Sequence, residues 1–144
     1  MASVLCVATA LTLAACGSGS GTSHRHQALT VAQCTRATKA IGQITPVVSP
    51  FAAVRTRSDL LNANMQVASD SGVTGSEDSD LAALSAAATS APLSLARELR
   101  QAKADYAAFS AANDSVPADP QTVAQAARYT MTDIAAVTTA CAHA

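Results

Sequence analysis

Apolar side chains recur every three or four residues along most of the chain after residue 30, a spacing typical of helices with one buried face. The first of these segments starts at Thr30, where the sequence TVAQ places Gln33 in the position of a capping-box Gln or Glu. The prolines of PVVSP, residues 46–50, should end this helix near Thr45, because proline cannot continue a helix interior. The apolar stripe of the predicted first helix consists of Val31, Cys34, Ala37, Ile41 and Ile44.

Three more helical segments are predicted, at about residues 50–69, 80–112 and 120–142. The predicted apolar stripe of the 50–69 segment consists of Phe51, Val54, Leu61, Met65 and Ala68, and that of the second half of the 80–112 segment of Leu95, Leu99, Ala102, Tyr106 and Phe109. Ser49–Pro50 and Asp119–Pro120 each have the form of an N-cap followed by proline at the first helical position. Pro92 should break or kink the middle segment. The polar stretch SDSGVTGSEDSD, residues 69–80, is predicted to be a solvated loop, because its acidic residues lack the spacing of a calcium-binding EF-hand.

The composition favours one helical domain and argues against nucleic acid as a partner. Hydrophobic residues make up 49% of the 144 residues, with mean hydropathy +0.22, which is enough to fill one core. Alanine-rich stretches such as LAALSAAATSAPLSLA favour an all-α fold, because alanine has the highest helix propensity. Charged residues make up only 13% of the chain, aromatic residues 3%, and the formal net charge is −1. The chain therefore offers neither a basic field nor a platform for stacking bases.

An apolar run of 12 residues occupies positions 4–15, too short for a membrane-spanning helix, which needs about 20 residues. It fits the hydrophobic region of a secretory signal, and it ends in LAAC at residues 13–16. This motif resembles the lipobox of bacterial lipoproteins, and the alanine- and threonine-rich style resembles actinobacterial examples. The resemblance implies cleavage before Cys16, a diacylglycerol on its sulfur, and a location on the extracytoplasmic face of the cell membrane. Stable anchoring would follow, because two acyl chains hold a protein where one is marginal.

The resulting domain prediction divides the chain into three parts. Residues 1–15 form the signal peptide, residues 16–29 the lipidated cysteine and a flexible linker, and residues 30–144 the helical domain.

The four cysteines have different expected fates once this processing is assumed. Cys6 would leave with the signal peptide and Cys16 would carry the lipid, so Cys34 and Cys141 would remain where disulfides persist. A Cys34–Cys141 bond is the expected outcome, and two separate buried thiols are the alternative. Such a bond needs Cα atoms about 4.4 to 6.8 Å apart. Because these cysteines lie at the start of the first helix and the end of the last, the sequence predicts an antiparallel four-helix bundle with a kinked third helix.

No residues form a recognised catalytic or cofactor-binding pattern, so neither enzymatic activity nor a cofactor is predicted. The three histidines are His24, His26 and His143. His24 and His26 flank Arg25, which would weaken any metal site they formed, and no metal site is predicted. The expected function is a membrane-anchored envelope lipoprotein whose helical domain binds an unidentified protein, peptidoglycan or lipid. The alternative is a weak metal-scavenging lipoprotein that uses His24 and His26.

Overall fold

The computed structural model describes residues 29–70, 73 and 75–142 of the chain. These residues are 84% helical and contain no strand, so the predicted all-α fold is confirmed. The described residues form five α-helices rather than the predicted four. A 3₁₀ turn, Ser49–Phe51, follows the first helix, and the helices are α1 (Val31–Val48), α2 (Arg57–Ser69), α3 (Glu77–Ser90), α4 (Leu93–Asp114) and α5 (Pro120–Ala142).

Helix α1 begins as predicted but ends three residues later. Thr30 accepts a hydrogen bond from the Gln33 amide, and the Gln33 side chain accepts one from the Thr30 amide, which completes the capping box. Pro46 lies inside the last turn. Ile44 and Val48 flank that proline and are fully buried, and this burial keeps the turn helical despite the lost backbone hydrogen bond.

The predicted helix at 50–69 starts later than expected. Ser49 and Pro50 begin the 3₁₀ turn, and α2 starts only after a second capping box formed by Thr56 and Asp59. A hydrogen bond with the Thr56 side chain, followed by those from the Arg55 and Thr56 amides, lowers the pKa of Asp59. Because α2 starts anew, its inward face consists of Leu60 and Ala63. The predicted apolar stripe of this segment is wrong at Leu61, Met65 and Ala68, which are exposed.

The predicted kink at Pro92 is a complete break between α3 and α4. Ala91 is extended, as residues before proline usually are, and Pro92 stands directly before the first residue of α4. Helix α3 begins at Glu77, capped by Ser76. The last helix begins at Pro120 as predicted, and the Asp119 carboxylate accepts a hydrogen bond from the Thr122 amide.

All five helices contribute buried residues to one core. Helix α1 contacts α3 and α5, and α4 contacts the same two helices, while α2 contacts the 3₁₀ turn and α5 and contributes Leu60 and Ala63. An edge-to-face contact between Phe51 and Phe109, with ring centroids 5.0 Å apart, fills one part of the core. The predicted apolar stripe of α4 is buried throughout, at Leu95, Leu99, Ala102, Tyr106 and Phe109.

Candidate functional site at the disulfide end

Cys34 and Cys141 form a disulfide with their Cα atoms 5.3 Å apart. The bond joins the second turn of α1 to the last turn of α5 and spans 107 positions of sequence. The predicted pairing is therefore present in the fold. We call this end of the molecule the near end, and the opposite end, which holds the turns after α1 and α4, the far end.

The near end is built from four helix termini. Helices α1 and α4 begin there, and α3 and α5 end there. Gln33 connects two of these termini, because its Nε2 donates to the Ser90 carbonyl oxygen at 3.0 Å while its Oε1 caps α1. One side chain thus fixes the start of α1 beside the end of α3.

An open groove of about 370 Å³ runs beside the disulfide. Its threonines cannot offer their hydroxyl protons to a ligand, because each already donates to the carbonyl four residues earlier in its own helix. The groove therefore presents mainly apolar surface. Its lining residues are Val31, Cys34, Thr35, Thr38, Thr138 and Cys141, with Ala142 at the edge.

Two large aliphatic side chains are exposed at the near end. Val31 is 74% exposed in the first turn of α1, and Leu93 is 79% exposed at the first position of α4. Each is the first residue of a helix that begins at the near end, and Leu29 precedes α1 at the same end.

Charge is divided unevenly between the two halves of the bundle. The near half is predominantly basic, with Arg36, Lys39, Arg97, Arg100 and Lys103 against Glu98 and Asp133. The far half is predominantly acidic, with Asp59, Asp70, Glu77, Asp78, Asp80, Asp114 and Asp119 against Arg55, Arg57 and Arg128, and Asp105 lies at the middle of the bundle beside Asp133.

Asp80 is a buried carboxyl group that the sequence prediction misplaced. Instead of lying in a solvated loop, it is 1% exposed on α3, where its Oδ2 accepts a hydrogen bond of 3.0 Å from the Tyr106 hydroxyl. Its Oδ1 has no hydrogen-bond partner among the described residues. Burial raises the pKa of Asp80, and burial together with the Asp80 charge raises the pKa of Tyr106. The three-and-four spacing of Asp80, Leu84 and Ala87 was the signal that could have revealed this burial.

A second carboxyl group, Asp133, faces Asp105 across the contact between α4 and α5. Burial, followed by the neighbouring Asp105 carboxyl group and the negative charge of Glu98, raises the pKa of Asp133 to about 7. Two carboxyl groups can share a hydrogen bond only while one keeps its proton. Below neutral pH the pair should therefore stabilise the contact between α4 and α5. Above neutral pH the two carboxylates should repel each other.

Replacing Asp133 with Asn should remove most of the pH dependence that this pair gives to stability. In the wild type, the Asp133 carboxyl loses its proton near its ordinary pKa of 3.8 when the chain is unfolded and only near pH 7 when it is folded. The free energy of unfolding should therefore fall as the pH rises between these two values. Asp133→Asn should then be more stable than the wild type above pH 7 by about 1 to 2 kcal/mol, allowing for partial solvation.

Urea unfolding of both proteins from acidic to mildly alkaline pH checks this expectation. Asp114→Asn, at the exposed end of α4, provides a matched control that loses the same charge outside the pair. A difference between wild type and Asp133→Asn that is the same at every pH would contradict the shared proton.

Other predicted site residues lie outside the described part of the chain, namely Cys16, His24, His26 and His143. Within residues 29–70, 73 and 75–142, no three His, Cys, Asp or Glu side chains are grouped so that they could hold a metal ion. None of the helices described is both long enough and apolar enough to span a bilayer. Comparisons of the chain with protein-family models, curated proteins and solved structures gave no match.

Proposed function

We propose that this protein is a lipoprotein of the bacterial cell envelope, anchored through a diacylglycerol on Cys16, whose helical domain binds an envelope partner rather than performing catalysis. The observation that carries the proposal is LAAC at the end of a 12-residue apolar run, followed by a polar segment and then by a folded domain. The anchor would hold the domain at the extracytoplasmic surface of the membrane.

The Cys34–Cys141 bond supports export to that surface. Disulfides form and persist in extracytoplasmic compartments, whereas cytosolic thiols are kept reduced. The bond closes almost the whole folded domain, since it joins the first and last helices. A disulfide that closes so long a loop is typical of the stabilising bonds in exported domains.

The buried and half-buried polar side chains pair with one another within the domain, which supports the non-catalytic part of the proposal. Asp80 is paired with Tyr106, and Lys103 donates a hydrogen bond of 2.7 Å to Ser85 on the neighbouring helix. Asp133 faces Asp105 in the contact between α4 and α5. These groups connect helices to one another, and a site for chemistry would need them to converge on an accessible space.

Metabolic labelling with a fatty-acid analogue tests the anchor. Wild-type protein should incorporate the label and gain the mass of the lipid, whereas Cys16→Ser should gain neither, because the acyl acceptor is the Cys16 sulfur. Cys6→Ser provides a matched control, since Cys6 lies in the predicted signal and its loss should leave labelling unchanged. Equal labelling of wild type and Cys16→Ser, or no lipid mass on the wild type, would refute the proposal.

A further inference from the structure

The basic side chains of the near half lie on the two helices that begin at the near end. Arg36 and Lys39 are on α1, and Arg97, Arg100 and Lys103 are on α4. In an α-helix the Cα–Cβ bonds tilt toward the N-terminus, so these side chains lean toward the near end. Arg36 and Arg100 are exposed, and Arg97 is exposed beside Glu98, with Nη2 and Oε1 3.1 Å apart.

The exposed apolar side chains lie ahead of these charges. Val31 and Leu93 are the first residues of α1 and α4, so they stand closer to the end surface than the arginines on the same helices. Peripheral proteins commonly bind anionic bilayers through exposed aliphatic side chains with basic side chains next to them. The aliphatic groups insert into the headgroup region, and the basic groups bind lipid phosphates.

The length of chain between Cys16 and the helical domain also favours the near end. Leu29 directly precedes the Thr30 cap of α1, and twelve residues separate it from Cys16. As the predicted flexible linker, these residues would have an r.m.s. span of about 20 Å, whereas α5 alone is about 35 Å long. An anchor at Cys16 would therefore hold the near end closer to lipid, on average, than the acidic far end.

We propose that the near end of the bundle is a membrane-docking face that binds bilayers containing anionic phospholipid, with Val31 and Leu93 in the headgroup region and Arg36, Arg97 and Arg100 on lipid phosphates. This inference rests on the proposed lipid anchor and names one partner of the domain. The acidic far end would then face away from the membrane.

Single-tryptophan fluorescence tests the docked orientation, because the wild-type chain has no tryptophan. Leu93→Trp places the probe on the proposed face, and Val116→Trp places a matched probe in the far turn, at a residue that is 96% exposed. The lipidated proteins are reconstituted into phosphatidylcholine vesicles with or without phosphatidylglycerol, and quenching by brominated lipids is measured. Both sites are highly exposed, so neither change should disturb the fold, and thermal melting checks this.

With phosphatidylglycerol present, we expect the emission of the Leu93→Trp variant to shift to shorter wavelength and to be quenched, and both effects to be lost at high salt. The probe of the Val116→Trp variant should remain solvent-exposed in both vesicle types. A water-exposed probe in the Leu93→Trp variant on anionic vesicles, or equal quenching of the two variants, would overturn the inference. If the emission of the Leu93→Trp variant shifts only when many protein molecules are present on each vesicle, the inference would also be overturned. The near end would then be covered by a second copy of the chain rather than by lipid.

Charge variants test the arginines themselves. In the Leu93→Trp background, Arg36→Gln combined with Arg100→Gln should abolish the lipid-dependent shift of the emission. Arg55→Gln combined with Arg57→Gln should leave that shift unchanged, although both pairs remove two exposed basic groups. If both pairs reduce the emission shift equally, binding to the vesicles depends only on the net charge of the protein, and the docking face is refuted.

The intact mass of each sample separates failure of the docking face from failure of the anchor. Absent acyl mass refutes the proposed function, and the docking face that rests on it. Acylated Leu93→Trp protein whose emission is not quenched refutes only the docking face.

Discussion

Replacing Cys34 and Cys141 together with alanine should lower the free energy of unfolding by about 2 to 5 kcal/mol, the usual effect of losing a native disulfide in a small exported domain. The expected loss is at the upper part of that range, because the bond closes a loop that spans 107 positions and so restricts nearly the whole unfolded chain. Since a whole domain is stable by only about 5 to 15 kcal/mol, the variant should unfold at a much lower urea concentration.

The folded helices should survive this change. Alanine removes only one sulfur atom at each position, so the cavity at the buried Cys34 is small, and the Gln33–Ser90 hydrogen bond still fixes α1 beside α3. Urea unfolding followed by circular dichroism should show native helicity and a lower midpoint. Wild-type protein treated with a reductant provides the matched comparison and should unfold at a similar midpoint, because it lacks the same crosslink.

Thiol labelling of the unfolded, exported wild type completes this test. Neither Cys34 nor Cys141 should react until a reductant is added. Reaction of both thiols without reductant, or a double-alanine variant within about 0.5 kcal/mol of the wild type, would show that the bond does not stabilise the native protein.

Tyr106→Phe should lower the free energy of unfolding by about 2 to 3 kcal/mol at neutral pH, because the described structure gives the buried Asp80 carboxylate no other hydrogen-bond donor. Phenylalanine keeps the ring contact with Phe109, whose centroid is 6.2 Å away, so the loss should come from the hydroxyl rather than from packing. The variant should recover stability as the pH falls, since a protonated Asp80 no longer carries an unpaired buried charge.

Asp80→Asn separates the hydrogen bond from the charge. Asparagine can still accept from the Tyr106 hydroxyl and carries no charge, so the single variant should cost much less than Tyr106→Phe. In the Asp80→Asn background, Tyr106→Phe should have a smaller effect than in the wild type. If both backgrounds lose the same free energy, as measured by urea unfolding, the two side chains are not coupled.

The sequence predicted features that depend on local chemistry. The Thr30 capping box and the Asp119–Pro120 start were correct because the residues that satisfy these helix ends are close in sequence. The second capping box was missed because Asp59 takes the place usually held by Glu or Gln. As a result, the register of α2 was wrong, and Leu61 and Met65 were assigned to the buried face.

Features that depend on contacts between helices were harder to predict. The burial of Asp80 depends on Tyr106, which is 26 positions away on the next helix. The charge asymmetry was also hidden, because Arg36 and Arg100 join the same half only when it is known that α1 and α4 begin at one end. The disulfide was the exception, because cysteine count and compartment limited its partners before any fold was known.

The Cys34–Cys141 bond also determines what a protease could release from the surface. A single cut anywhere between these cysteines, for example in the turn at residues 115–119, would divide the chain into two fragments that remain covalently joined. The C-terminal fragment would stay attached to an N-terminal fragment that carries the proposed lipid. Shedding of any part of the domain beyond the cut would therefore require both a peptide-bond cleavage and a reductant.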